Sequence, residues 1–339
     1  MTDDMADRAA RARDFIDASD WANAPIAPFT GDASNRRYFR LVSAAGRRAV
    51  LMDAPPGKGE DIAPFISIAA WLRDLGLSAP ALYAEDRVNG FLLLEDLGDA
   101  LYARAAKKGG MPERAAYLAA MDVLVSIARA QMPKAVAAYD TEAMAPLAGL
   151  AGTWYAGDDD LAKAVSAATA GALDALPSAK TTLVLRDYHA ENLIWLPERA
   201  GAARVGLLDF QDARLGHPAY DLASLLHDAR RDVPEEVQRA LLQGFATAME
   251  WDLADLALAL ATQSAQRNLR ILGVFARLSL HFGKSGYVDF IPRVHSNLMK
   301  DLSHPALAPL REVASALPSP TPSFLQDLRD RCGTIPVPA

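Results

Sequence analysis

Cysteine is nearly missing: Cys332 is the only one among 339 residues. A disulfide framework within the chain and a Cys-rich metal site are therefore both excluded. Positive charge is not in excess either, since the formal net charge is −7. A general nucleic-acid partner would need a basic surplus to neutralise phosphates, so none is expected, although a local basic cluster for nucleotide phosphates is still allowed. Long hydrophobic runs are lacking as well. GFLLLEDLG, residues 90–98, is far too short to span a bilayer. The opening MTDDMADRAARARDF sets acids ahead of its arginines and has no apolar core, unlike a secretory signal. These absences predict a cytoplasmic protein without a membrane partner, and they leave the oligomeric state open.

Apolar residues make up 51% of the chain and charged residues 23%, ordinary values for a globular protein. The length favours two domains or lobes. The texture changes near Gly98. Ahead of it, after a short amphipathic helix over about residues 4–18, come five runs that read as strands: PIAPFTG, RRYFRLV, RRAVLMD, ALYAEDR and GFLLLEDL. One helix interrupts them, DIAPFISIAAWLRDLG, with Ile62, Phe65, Ile66, Ala69 and Leu72 on one face and Gly76 as its stop. The order β-β-β-α-β-β is that of a small antiparallel sheet with a helix packed on it. Beyond Gly98 the pattern is mostly helical and Ala-rich, with about five helices between residues 219 and 332 and a loose tail, GTIPVPA. The exception is TLVLR, NLIWL and RVGLLDF, three short strands within residues 182–210. The expected fold class is α+β, with a β-rich first lobe over residues 1–97 and a helical second lobe over residues 98–339.

Polar residues gather around those three strands. In LRDYHAENLIW, residues 185–195, Asp187 and Asn192 lie on a loop that leaves one strand and enters the next. In GLLDFQDA, residues 206–213, Asp209 ends the third strand. Taken singly, each could be a turn or cap residue. Together they are what phosphoryl transfer requires. One carboxylate orients and deprotonates an acceptor hydroxyl. A second carboxylate and an amide oxygen hold Mg²⁺ against the phosphates of ATP, because hard cations prefer oxygen ligands. A second signal is TGDASNRRYFRL, residues 30–41, a turn between strands. Ser34, Asn35, Arg36 and Arg37 are its candidate phosphate-binding residues, since successive backbone N–H groups form anion nests. It is not a Gly-rich loop, because only Gly31 is present. Strand alternation puts Arg37 with Phe39 and Leu41, and Arg36 with Tyr38 and Arg40, and leaves open which face meets a nucleotide.

The D-x-H-x-x-N loop at Asp187–Asn192, followed by the strand-ending Asp209, resembles the aminoglycoside phosphotransferase and choline kinase superfamily. That resemblance implies a protein-kinase-like two-lobe fold, with Asp187 as catalytic base and Asn192 and Asp209 as Mg²⁺ ligands. It also implies that His189 and Asp221 brace the catalytic loop. FLLLEDLG is similar to the superfamily's hinge strand, where adenine would bond the backbone at Glu95 and Leu97. The third strand departs from the pattern. Met52 stands where such kinases usually carry a phosphate-contacting Lys. Lys58 or an arginine of the 36–40 stretch is the candidate substitute.

GDASNRRYFRL, VLMDAPPGKGEDIAPF, LLDFQDARLGHPAYDLASLL and AQRNLRILGVFARL together resemble one bacterial branch of that superfamily. Its members are the anomeric kinases that phosphorylate N-acetylmuramate and N-acetylglucosamine at the C1 hydroxyl in cell-wall recycling. The substitution of the Lys by Met is part of that resemblance. A sugar requires a polar pocket beside the base. Gln211, Asp212 and Arg214 follow Asp209 directly, and Gln266 and Arg270 share a helix face within the polar group Gln266, Arg267, Asn268 and Arg270. An arginine there could pair the lactyl carboxylate of N-acetylmuramate, or the group could be a salt-bridged helix surface. Two other functions fit the residues: a kinase of another small hydroxyl compound such as an aminoglycoside, choline or homoserine, and a nucleotide-binding pseudokinase.

Overall fold

The structure, a computed structural model, describes residues 2–29, 35–105 and 109–336. Among them the strands are β1 (Ile26–Phe29), β2 (Arg37–Val42), β3 (Arg48–Asp53), β4 (Leu82–Asp86), β5 (Phe91–Glu95), β6 (Thr182–Val184), β7 (Leu193–Trp195), β8 (Val205–Leu207) and β9 (Arg214–Gly216). The helices are α1 (Thr2–Asp17), α2 (Ala63–Asp74), α3 (Tyr102–Ala105), α4 (Glu113–Arg129), α5 (Thr141–Leu150), α6 (Asp159–Asp174), α7 (Ala219–Leu226), α8 (Glu235–Met249), α9 (Leu253–Leu280), α10 (Ile291–Leu302), α11 (Ala308–Ala314) and α12 (Pro322–Asp330). Two compact units result. One comprises the residues up to Pro112 together with Glu191–Asp212, and the other Glu113–Ala190 with the residues from Ala213 onward. This division by packing does not follow the boundary expected after residue 97.

In the first unit, an antiparallel sheet runs β1-β2-β3-β5-β4. The β-β-β-α-β-β order read from the sequence is the observed one. Ala49, Leu51, Phe91 and Leu93 turn one sheet face toward Ile16 of α1 and Trp21. Alternation along paired strands makes this possible, because every second side chain shares a face. Helix α2 buries Phe65, Ile68, Ala69 and Leu72. The β7–β8 hairpin belongs to this unit because it is bonded into it. Leu207 N–H donates to Ser78 O at 2.9 Å, Trp195 N–H to Ala100 O at 2.8 Å, and Arg199 Nη2 to Glu95 Oε1 at 2.6 Å.

The second unit is helical around α9, a helix of 28 residues whose N-cap Asp252 accepts the Ala254 N–H. Its core joins Leu269, Leu272 and Phe275 of α9 to Val294 and Leu298 of α10 and to Tyr155. Close approach requires glycine at position 273. A Cβ there would lie 2.3 Å from the carbonyl carbon and oxygen of Leu150 at the end of α5. The only sheet pairing of named strands among the described residues of this unit is β6 with β9. Strand β9 was not expected. It spans three residues just after the polar Gln211-Asp212, too short for a periodic signal. The start of the expected loose tail is tied down, since Gly333 N–H donates to Ser279 O and Ile335 N–H to Leu280 O.

Candidate active site

Two groups of side chains carry the expected chemistry, one in each unit. In the first unit, the register Leu193↔Leu207 sets Asn192 opposite Leu208, and Leu208 N–H donates to Asn192 O at 3.0 Å. Asp209 follows in the left-handed region at φ 56°. An aspartate tolerates that conformation better than most residues, and such outliers tend to be held at functional positions. Phe210 anchors the turn by stacking on Phe65 of α2, with ring centroids 4.9 Å apart. Asn192 Nδ2 and Asp209 Oδ2 consequently lie 3.5 Å apart. Gln211 Nε2 donates to Asp209 Oδ1 at 2.7 Å. Asp209 is exposed, and Asn192 half-buried.

Positive charge in the same unit is mostly committed. Arg37 donates to Asp53 Oδ2 through Nε at 3.0 Å, and Arg8 Nε donates to Oδ1 of the same buried carboxylate at 2.7 Å. Arg40 is paired with Asp96 and Asp99. Arg36 pairs with Glu60, Nε to Oε2 at 2.7 Å. Burial raises the Tyr38 hydroxyl pKa to about 12, with Arg36 opposing that rise and Asp209 adding to it, so both charges act on one phenol. Met52 is 1% exposed and has no polar role.

In the second unit, Asp187 sits on a loop fixed from several sides. Asp221, buried at the start of α7, accepts the Leu185 N–H at 2.6 Å and the Arg186 N–H at 2.9 Å. Arg186 itself is left-handed, φ 73°, an unusual conformation for a long side chain. Tyr188 Oη donates to Ala120 O in α4, and Ala190 N–H to Asp228 Oδ2. Burial pushes the Asp221 carboxyl up to about 7, against the two backbone N–H bonds. It also disfavours charge on Asp187, yet Arg270, His189, Arg267 and Arg186 outweigh it and hold that carboxyl below the usual range. His189 is buried, which pushes its pKa down, with Asp228 opposing. The His189 backbone N–H donates to the backbone Asp187 O at 3.1 Å. Arg270 Nη2 lies 3.6 Å from Asp187 Oδ1.

The other expected site residues divide. Ser34 lies outside the described residues. Asn35 is exposed and donates from Nδ2 to Lys58 O at 3.3 Å. Leu97 packs its side chain against Ile194 and Leu196. Asp212 and Arg214 are exposed, Arg214 on β9. The Glu95 N–H donates to Ala81 O at 2.8 Å, at the sheet margin. One expectation needs correction. Gln266, expected to touch the sugar, is fully buried and donates from Nε2 to Met144 O of α5 at 2.7 Å. Sequence reasoning missed Glu60, Tyr139, Tyr220 and Asp228. Each stands within or beside a quoted motif or apolar run, with nothing in its spacing to single it out.

A five-stranded antiparallel sheet with helices packed on it, a helical second unit, and a carboxylate beside an amide at the end of a short hairpin define a phosphotransferase of the kinase-like class. The chain belongs to the phosphotransferase enzyme family, which matches residues 25–258, and it is an ATP-dependent small-molecule kinase. The N-acetylmuramate/N-acetylglucosamine kinase of Caulobacter vibrioides is 38% identical to it over 348 residues, covering 90% of this chain and 95% of that protein. A protein of the same name from Pseudomonas aeruginosa is 32% identical over 320 residues, covering 89% of this chain and 92% of its own. Among solved structures, a choline/ethanolamine kinase family protein from Mesorhizobium loti superposes with a TM-score of 0.59 at 17% identity, covering 95% of this chain and 99% of that one. That likeness concerns the fold alone. No described helix is long and apolar enough to cross a membrane.

Proposed function

We propose that this chain transfers the γ-phosphoryl group of ATP to the C1 hydroxyl of N-acetylmuramate, N-acetylglucosamine or both. The carrying observation is Asp187. It is a partly exposed carboxylate, 34% accessible, kept ionised by guanidinium groups on a loop braced by Asp221. A base must be both unprotonated and reachable by the acceptor hydroxyl. The sugar pair is taken from the named relatives. Asp187 orients the C1 hydroxyl and receives its proton as the oxygen attacks phosphorus and the bond to ADP breaks.

Asn192 and Asp209 are the proposed ligands of Mg²⁺. The donor set fits by residue type, a carboxylate and an amide oxygen on one hairpin, although Asn192 turns Nδ2 toward Asp209 and its amide would have to flip to present the oxygen. Among the described residues there is no group of three or more His, Cys, Asp or Glu that could enclose a metal. A cation held by two side chains and completed by phosphate oxygens and water is the Mg²⁺ pattern. When bound, it neutralises charge on the phosphates. Gln211 keeps Asp209 in one orientation. Lys58, which is exposed, or Arg36, which shares its guanidinium with Glu60, would take the phosphate-contacting role that Met52 lacks.

ATP consumption over a panel of N-acetyl amino sugars, choline and aminoglycosides tests the proposal. Turnover on the N-acetyl sugars, lost in Asp187→Ala, is the expected result. Turnover on choline or an aminoglycoside alone would move the acceptor assignment. Nucleotide binding without turnover would leave a pseudokinase.

A further inference from the structure

Arg270 was expected to meet the sugar. Its surroundings point elsewhere. The side chain, 15% accessible, leaves α9 and forks. Nη1 donates to Tyr220 Oη at 3.0 Å and reaches Tyr139 Oη at 3.4 Å, while Nη2 faces Asp187 Oδ1. The two phenols are fixed in turn. Their hydroxyls lie 3.3 Å apart and their rings meet edge to face, centroids 5.2 Å apart at 81°. Tyr220 is fully buried and Tyr139 nearly so. The Arg186 guanidinium stands 5.2 Å above the Tyr139 ring.

We infer that Arg270, locked by the hydroxyls of Tyr139 and Tyr220, is a positioning residue that orients the Asp187 carboxylate for its acceptor and does not itself read the sugar. A guanidinium that recognises a ligand carboxylate offers both arms of its fork outward. Here Nη1 is spent on the phenols, and Nη2 lies within ion-pair range of Asp187, 3.6 Å from Oδ1. The arrangement is rigid, so little rotamer entropy remains to be lost when substrate arrives. The charged groups that act on Asp187 include Arg270 and Arg267 from α9, Arg186 and His189 from its own loop, and Asp221 from α7. Arg270 is the strongest of the cations acting on it.

This inference rests on the kinase reading of Asp187, and the test separates the two. Steady-state kinetics of the full chain are measured with N-acetylmuramate and with N-acetylglucosamine, which lacks the lactyl carboxylate, as a function of pH. The variants are Arg270→Gln, Arg270→Lys and Tyr220→Phe, each checked for folding by thermal melting. For Arg270→Gln we expect kcat to fall about 10- to 100-fold on both sugars with little change in KM, the signature of an interaction made in the transition state. Its acid limb moves to higher pH by about one unit, because losing a nearby cation raises a carboxyl pKa. Arg270→Lys restores the limb and only part of kcat, since an ammonium cannot serve both partners. Tyr220→Phe keeps the charge and lowers kcat by roughly threefold or more. A rise in KM confined to N-acetylmuramate, with kcat and the acid limb unmoved, would overturn the inference and make Arg270 a substrate residue. Unchanged kinetics in Tyr220→Phe and Arg270→Lys would overturn it as well. If wild-type protein turns over neither sugar, the functional reading fails, while carbon-13 NMR titration of the Asp187 carboxyl in wild type and Arg270→Gln still decides this one.

Discussion

The two units treat charge differently. In the first, each arginine of the 36–40 stretch has a carboxylate of its own unit: Arg36 with Glu60, Arg37 with Asp53, Arg40 with Asp96 and Asp99. The proposed metal ligands there are exposed or half-buried on a short hairpin. In the second, three arginines act on one carboxylate, Asp187, and the carboxylates that brace its loop, Asp221 and Asp228, are buried. Under the proposed roles the first group is open, to be completed by oxygens of a ligand. The second is built in advance. Preorganised charge is most useful where a proton must move, and positioned oxygen ligands where a cation arrives with its substrate.

The sharpest way to break this contrast is to remove one carboxylate from each group. Asp187→Asn is expected to lower kcat by about 10²- to 10⁴-fold, the usual worth of a general base, with the Kd for ATP nearly unchanged. Asp209→Asn should instead raise the Mg²⁺ concentration needed for half-maximal rate. Rates as a function of free Mg²⁺ separate the two, and equal Mg²⁺ dependence in both variants would merge the roles.

The rigidity of the second unit can be tested at Gly273→Ala. The added methyl overlaps the Leu150 carbonyl, and overpacking of this kind costs about 1–3 kcal/mol. Urea unfolding of wild type and variant checks it.

Asp221→Asn sharpens the comparison through pH. Burial raises the folded-state pKa to about 7, so the folded protein binds this proton more tightly than the unfolded chain. Its contribution is therefore full below the ordinary carboxylate pKa and is lost as pH rises to about 7. The stability difference between wild type and Asp221→Asn should drift against the wild type over that interval, measured by denaturant unfolding at several pH values. Loss of one buried N–H partner adds a pH-independent cost of about 1–3 kcal/mol.

The smallest effect lies in the first unit. Arg36→Gln should raise the KM for ATP by roughly tenfold, about 1.4 kcal/mol. Arg37→Gln should act mainly on stability by stripping buried Asp53 of one partner, with Arg8 remaining. Titrating ATP against both variants distinguishes them.

Much of this was legible in the chain. The strand runs and the helix of α2 follow from alternation and turn residues, and so does the Asn192–Asp209 hairpin. The acceptor side was harder. Helix spacing placed Gln266 and Arg270 on one face, but α9 is surrounded by packing and also buries Arg267 and Asn268, so a face read from the sequence says nothing about which side is open. Tyr139 and Tyr220 meet only through the tertiary fold, 81 positions apart. Strand β9 is too brief to announce itself.

The central claim, transfer to the C1 hydroxyl, is tested most directly by the product. Protein is incubated with ATP, Mg²⁺ and N-acetylmuramate or N-acetylglucosamine, and the phosphorylated sugar is followed by phosphorus NMR before and after mild acid. A glycosyl 1-phosphate, releasing inorganic phosphate under that treatment, is the predicted result. A sugar phosphate that survives acid would contradict it.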